Sequence, residues 1–459
     1  MKKNIFHLIL WITCVAGMVA CHKKDFLDKK PSTDLVVPAT LPDFQALLDK
    51  ETIINETPVL GELSADNYYF SPAFWQNNLP AKEHNTHIWA PDIFQGRGDV
   101  DDWNQSYLQV FYANVVLDGL RHVDITPANE QQWNTIKGAA LFIRGYAFYN
   151  VAQVFAPAYD QATADKDPGI PLRLTPGIDE ISVRATVQQT YDQAIADITA
   201  SINLLSPTLP SGNLNRPSRP AAFAALARLY LSMRMYDKAG KYADSCLQLY
   251  DSLINYNAVT IPQIFSKYNG EVIYESHFLQ SSTMFKTNTS SFCMLDSTLF
   301  ASYVLNDMRR TIFFTLNSNG LPGIRGSYIG GAYAFSGFAT DEMFLVRAEC
   351  AARAGNTLSA MNGLNALLAK RWKAGTFTPL IATSADDALN IILLERRKEM
   401  PFRGVRWTDI RRLNKEGAMI KPTRLLFNQQ YQLAPNEPRY ALPIPPDVIT
   451  LSGMPQNPR

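Results

Sequence analysis

The strongest constraint on the fold is a spacing that occurs twice. Phe223, Leu226, Ala227 and Tyr230 are followed by Ala239, Ala243 and Cys246, and Phe344, Ala348 and Ala351 by Ala360, Leu364 and Leu367. Aligned on Ala239 and Ala360, the leading aromatic falls 16 residues earlier in both segments and a small residue falls 12 earlier. This is the tetratricopeptide spacing, in which small side chains let two antiparallel helices approach closely; the plainer alternative is a generic helical hairpin. Other helical stripes surround these pairs. One helix is expected near Leu41-Pro42-Asp43, with Phe44, Leu47 and Leu48 on one face, and another from Trp103 through Tyr107, Val110, Phe111, Asn114 and Leu117. Helices at about Trp133–Phe155, stopped by Pro157, and Val187–Leu205 read as degenerate copies of the repeat, and Arg216-Pro-Ser-Arg-Pro220 opens two more. The proline-rich tail from Lys421 reads as loop. The repeats lie far apart, so long insertions must interrupt the stack. The expected fold is therefore all-α (mostly α), with tetratricopeptide-like helical repeats interrupted by long loop insertions. Hydrophobic residues at 46% of 459 suffice for such a core, and a net charge of +1 offers no basic face for nucleic acid.

The N-terminus carries a second signal. Lys2 and Lys3 precede a 16-residue apolar run, Ile5 to Ala20, interrupted by His7 and Thr13 and shorter than the roughly 20 residues of a membrane span. It ends in Met18-Val19-Ala20-Cys21, which reads as a lipoprotein signal whose Cys21 thiol becomes acylated; a plain secretion signal or a membrane anchor is the alternative. Residues 1–20 are thus expected to be a signal peptide and 21–459 the mature protein, with an N-terminal half at 21–230 and a C-terminal half at 231–459. Cys246, Cys293 and Cys350 remain; their spacing matches no zinc pattern, and Cys246 and Cys350 lie in helical stretches as buried apolar residues.

Two segments escape helical periodicity. Thr57–Asp102 mixes Asn, Pro and Gly with Tyr68, Tyr69, Phe70, Phe74, Trp75 and Trp89, and Gln280–Phe338 sets Tyr328, Tyr333 and Phe335 among glycines. Long irregular segments in compact domains are often functional. The candidate ligand contacts are Trp75, Trp89, Tyr68, Tyr69, Tyr328 and Tyr333, whereas Trp103, Trp133, Trp372 and Trp407 sit at helical positions and are assigned to the core.

Several motifs, in order, resemble the SusD/RagB family of outer-membrane lipoproteins. Cys21 with Asp25-Phe-Leu-Asp-Lys-Lys-Pro-Ser32 is similar to its lipobox and the stretch after it. Gly138-Ala-Ala-Leu-Phe-Ile-Arg-Gly-Tyr-Ala-Phe148 and Arg184-Ala-Thr-Val187, with Tyr191, Ile195, Asp197 and Ile198, resemble two of its helices. Phe344-Leu-Val-Arg-Ala-Glu349, Asn365 through Arg371, and Glu395-Arg-Arg-Lys-Glu-Met-Pro-Phe-Arg-Gly-Val-Arg-Trp-Thr-Asp-Ile-Arg-Arg-Leu413 resemble its C-terminal pattern. Leu442-Pro-Ile-Pro445 and Gln456-Asn-Pro458 complete it. Arg403 departs from the pattern, standing where the family usually has an acidic residue. The resemblance implies four tetratricopeptide-like units supporting a ligand-binding face made by the loop insertions, lipid anchoring in the outer membrane with exposure at the cell surface, and binding of a glycan or oligosaccharide. It also implies delivery to a SusC-like TonB-dependent transporter. Peptide uptake and a protein-interaction scaffold are the alternatives.

An enzymatic role is not expected. There is no Gly-x-Ser-x-Gly elbow and no phosphate-cradling Gly-x4-Gly-Lys-Ser/Thr loop, and no glycosidase carboxylate pair is recognisable. His84 and His87 lack the glutamate of a zinc hydrolase. Asp99, Asp101 and Asp102 could offer hard oxygens to calcium, but the later ligands of an EF-hand are missing, so no cofactor is assigned. Glu395, Arg396, Glu399, Arg406 and Asp409 read as an ion-pair network locking the last helices onto the stack, covered by Trp407.

Overall fold

In the computed structural model, residues 38–260, 265–284, 292–331 and 333–459 are described. The frame consists of α1 (Asp101–Gly119), α2 (Glu130–Phe155), α3 (Val187–Ser201), α4 (Arg219–Ser232) and α5 (Tyr236–Leu249), followed by α6 (Thr340–Arg353), α7 (Thr357–Leu368), α8 (Ala385–Glu399) and α9 (Arg406–Asn414). Local chemistry sets their ends. Thr186 and Gln189 form a capping box at α3, with reciprocal bonds of 3.1 and 2.9 Å. Ser218 caps α4, with Pro220 in its first turn. Ser384 caps α8, whose first turn is acidic (Asp386, Asp387) and whose last is basic (Arg396, Arg397, Lys398), as the helix dipole favours.

Each helix packs on the next: α1 on α2, α2 on α3, α3 on α4, α4 on α5, α5 on α6, and α6 on both α7 and α8. The two spacing-matched segments are the hairpins α4–α5 and α6–α7, and their alignment residues Ala227, Ala239, Ala348 and Ala360 are almost wholly buried. Small residues permit the approach. A Cβ on Gly145 of α2 would lie 2.8 Å from the Ala194 carbonyl oxygen in α3, and one on Gly240 of α5 would lie 2.9 Å from Cys350 Cβ in α6. Any side chain there would push the helices apart. Cys246, Cys293 and Cys350 are all buried and free.

The family-like motifs tie this stack together. Arg144 in α2 forms a bidentate pair with Asp197 in α3 at 2.7 Å to each oxygen and reaches Asn114 of α1 at 3.0 Å. Arg184 donates to Asn457 at 2.8 Å, and Asn457 in turn donates to the Phe155 and Leu442 carbonyls. In the C-terminal signature, Arg309 pairs with Asp307, Glu395 and Glu399, and Arg371 with Glu271 and Glu399, all buried. Arg396 joins Asp409 (2.9 Å), Arg412 joins Glu349 (2.6 Å), and Trp407 stacks on Tyr440 with centroids 4.9 Å apart. Arg403 turns its departure from the family pattern to use: it pairs with Asp341 at 3.0 Å and lies 3.9 Å over the Tyr328 ring and 4.7 Å over Phe335.

Two expectations need correction. The Thr57–Asp102 segment is not irregular but contains short helices at Leu60–Ser64, Pro72–Asn78 and Ala81–His87 and a strand at Tyr68–Phe70. Each is too short to show a period, yet each is locally specified; Ser71 caps the second of them, with Pro72 following. The tail is not all loop: Thr423–Leu426 and Gln429–Gln432 form a hairpin, and Pro446–Ser452 is helical. Its two-residue turn places Phe427 and Asn428 at positive φ, 49° and 63°, and the phenylalanine masks the turn signal. The tryptophans assigned to the core serve it: Trp103 and Trp407 are buried, and Trp133 and Trp372 pack against it while partly exposed.

The insertions meet in a small sheet in which Tyr68–Phe70 pairs with Cys293–Leu295, which pairs with Pro322–Ile324, which pairs with Phe314–Leu316. A second link is a parallel pair, Glu56↔His277 and Thr57↔Phe278. Both join segments more than 200 residues apart in sequence. No helix among the described residues is long and apolar enough to cross a membrane.

Candidate functional site

The sequence-derived aromatics do not form one cluster. The structure takes Tyr68 and Trp89 out of reach of an external ligand and leaves Tyr328 mostly buried in the wall of a small pocket. Trp89 is 1% exposed, donates its indole N–H to the Ser64 carbonyl (3.1 Å) and is covered by Arg424. Tyr68 donates to the Leu63 carbonyl at 2.7 Å, and burial pushes its hydroxyl well above the usual tyrosine range. Tyr328 donates to the buried Glu271 and packs under Arg403. Each is an amphipathic ring with its polar tip satisfied inside, so it serves the core. Trp75 is also mostly buried, stacked on His84 at 3.9 Å with its N–H bound to the His84 carbonyl. Tyr69 and Tyr333 remain partly exposed. Tyr69 lies on the opposite face of its strand from Tyr68 and Phe70, and burial with Asp296 nearby raises its pKa.

Tyr333 has the better setting. Its ring stacks on His277, with centroids 5.8 Å apart and planes 24° from parallel. His277 is fixed by the parallel pairing with Glu56 and by Glu275 at 3.0 Å. Around the stack stand polar groups from three elements. Gln105 of α1 reaches the Glu56 carboxylate at 3.2 Å, and Gln280 lies 3.4 Å from His277 Nε2. Burial pushes the Glu56 carboxyl up, His277 and the Gln280 backbone N–H pull it back, and Asp101 adds to the rise. The partly exposed Tyr333 ring and the Gln105 and Gln280 amides, beside the buried Glu56 carboxylate, are groups of the kind that stack on an apolar face and hydrogen-bond its rim. The segment from Gln280 onward pointed towards this place, but Glu56, Gln105 and His277 were not legible: nothing local in the sequence announces the Glu56↔His277 pairing.

The polar residues considered for metal do other work. His87 is buried beside the Tyr68 hydroxyl at 3.1 Å, and burial with Arg424 holds it well below the usual histidine range. Asp102 accepts the Val59 and Leu60 backbone N–H groups at 2.6 and 2.9 Å. Among the described residues no group of three or more His, Cys, Asp or Glu is arranged to hold a metal ion.

Residues 25–231 match the SusD-like family model described as starch-binding and associating with the outer membrane, and residues 338–459 match the model of the SusD family. The chain belongs to the SusD/RagB family. SusD-like protein P2 of Formosa agariphila is 23% identical over 423 residues, 78% of this chain and 79% of that protein. Among solved structures, a sugar-binding protein (so described provisionally) from Bacteroides vulgatus superposes with a TM-score of 0.74 at 20% identity. It covers 92% of this chain and 99% of its own. A laminarin-binding SusD-like protein superposes with a TM-score of 0.65 at 17% identity, covering 90% and 97%. These structures share the fold of this SusD/RagB member, as the motif resemblance implied. Cys21 and the leader lie outside the described residues.

Proposed function

We propose that this SusD/RagB-family protein captures a glycan on the Tyr333–His277 platform at the cell surface and delivers it to a SusC-like TonB-dependent transporter. The observation that carries this reading is the platform itself: a partly exposed Tyr333 ring stacked on the buried His277, with Gln105, Gln280 and the buried Glu56 around the pair. A sugar ring presents an apolar C–H face and a rim of hydroxyls, and those are the two things such a platform recognises. The leader ending at Cys21 supports lipid anchoring, and the family's association with the outer membrane supports the location. Laminarin binding by a protein of the same fold makes laminarin the first ligand to try. The role is binding rather than catalysis. A shallow platform gives a dissociation constant as weak as ~1 mM, about −4 kcal/mol, which suffices when a transporter completes capture.

The test uses the anchor-free protein, starting near Lys23, in affinity electrophoresis and calorimetry against polysaccharides and peptides. Retardation by one glycan class, lost in a Tyr333→Ala variant that melts like wild type, is the expected result. Binding to peptides alone, or glycan binding untouched by Tyr333→Ala, would sink the proposal or relocate its site. Co-purification of the full-length protein with a TonB-dependent barrel from outer membranes tests the delivery step.

A further inference from the structure

A cavity of about 50 Å³ lies where the helix Leu60–Ser64, α2, α4, α8 and α9 converge, and Thr57 and Phe278, the pair next to Glu56 and His277, line one side of it. Its charged walls are mostly paired: Arg228 with Glu342 at 2.6 Å, Arg396 with Asp409 at 2.9 Å, and Arg412 with Glu349 at 2.6 Å. Five buried polar atoms on its lining residues nevertheless have no protein partner. They are Arg396 Nη1, Trp407 Nε1, the Tyr149 hydroxyl, Asn150 Nδ2 and Glu62 Oε1. Tyr149 and Asn150 have Ser232 and Tyr146 nearby, but outside hydrogen-bonding geometry. Among the described residues 15 buried side-chain atoms are unpartnered, so a third of them fall on this single cavity. Buried polar atoms are almost always satisfied, and such a concentration marks an occupant. Four of the five can donate and only one must accept. An occupant that accepts from all sides matches that imbalance better than one that donates as much as it accepts. A volume of this size has room for about three water-sized bodies.

We infer that this cavity binds a small monovalent inorganic anion of halide size, held by Arg396 Nη1, Trp407 Nε1, the Tyr149 hydroxyl and Asn150 Nδ2. Glu62 completes the site in its protonated form. The Gly404 N–H occupies one of its oxygens at 3.1 Å, and the other can then donate. Burial pushes this carboxyl up to about 7, outweighing the Gly404 N–H, Arg406 and the Phe402 N–H, which pull it down, while Asp66 adds to the rise. Arg228, Arg396, Asp409 and Arg412 line the same cavity. Anion and proton therefore enter together, and halide affinity rises as pH falls from 8 to 6. The bound anion would join the helix Leu60–Ser64 to α2, α8 and α9.

Two measurements on the folded, anchor-free protein decide the matter. Crystals grown with bromide replacing chloride should show an anomalous peak within hydrogen-bonding distance of Arg396 Nη1 and Trp407 Nε1. In solution at constant ionic strength, Tm should rise with bromide or chloride concentration relative to gluconate, as mass action requires of a ligand that binds only the native state. Trp407→Phe and Tyr149→Phe each remove one donor and keep an aromatic ring; both should weaken that halide dependence, and Glu62→Gln should abolish its change with pH. Water alone in the cavity, with equal Tm in gluconate and bromide, overturns the inference. A bromide peak without any solution dependence marks an adventitious ion only and overturns it as well. Should Trp407→Phe fail to fold, Tyr149→Phe carries the same comparison.

Discussion

The helical stack and the two insertions solve the problem of specifying a structure in opposite ways. In the stack, residues that read as motifs are also the residues that hold helices together: Arg144 with Asp197, Arg412 with Glu349, Arg371 with Glu399. In the insertions, the residues that stand out in the sequence, the aromatics, are mostly consumed by packing. The groups around the partly exposed Tyr333 ring are ordinary polar residues brought together by pairing across the chain. A conspicuous residue in this protein therefore marks stability more often than recognition.

Four experiments would break or sharpen that contrast. The largest effect is expected from Arg371→Ala, which leaves Glu271 buried without its cation and Glu399 with Arg309 alone; losing one partner of such a network costs about 3–5 kcal/mol, readable as a shift in denaturant midpoint. Glycan affinity of the molecules that still fold should be unchanged. Trp89→Ala should come next, losing about 3–4 kcal/mol because a fully buried indole leaves a cavity, again with binding intact. If that variant instead melts normally and loses ligand, the insertions recognise through their conspicuous residues after all.

The third test is one of pH. Burial holds the Glu62 carboxyl at about 7 in the folded protein, whereas an unfolded glutamate titrates near 4.5. The folded state binds the extra proton between those values, so this group's contribution to stability is complete at low pH and declines as pH rises to about 7. The loss is about 3 kcal/mol at most. Glu62→Gln should flatten that part of the stability–pH curve; an unchanged slope would mean the carboxyl is ionised in place. The smallest effect on stability belongs to Tyr333→Ala, under about 0.5 kcal/mol for a partly exposed ring, with about a tenfold loss of glycan affinity in calorimetry.

The stack was legible because its helices are long enough to display a period and its hairpins repeat a spacing; Ala227 with Ala239 and Ala348 with Ala360 lie where that spacing puts them. The sheet of the insertions was not. Its strands, among them Tyr68–Phe70 and Cys293–Leu295, are three residues long and separated by more than 200 positions, so alternation has no length over which to show. The burial of Tyr68 and Trp89 was hidden for the same reason, since the short helices around them turn inward without announcing a face. Of the candidate site, Tyr333 was named from sequence, but its partner His277 depends on a parallel pairing with Glu56 that only the folded chain reveals.

Arg403 gives this arrangement an engineering consequence. Its guanidinium is clamped between Asp341 of α6 and the rings of Tyr328 and Phe335, so a loop of the second insertion is stapled to the C-terminal signature by a residue outside the loop itself. Loop and staple form a two-part cassette. Transplanting the Tyr328–Phe335 loop into a relative with an acidic residue at the Arg403 position would set that carboxylate against Asp341 and strip the rings of their cover. A graft meant to move ligand preference between family members must carry position 403 along with the loop it is meant to transfer.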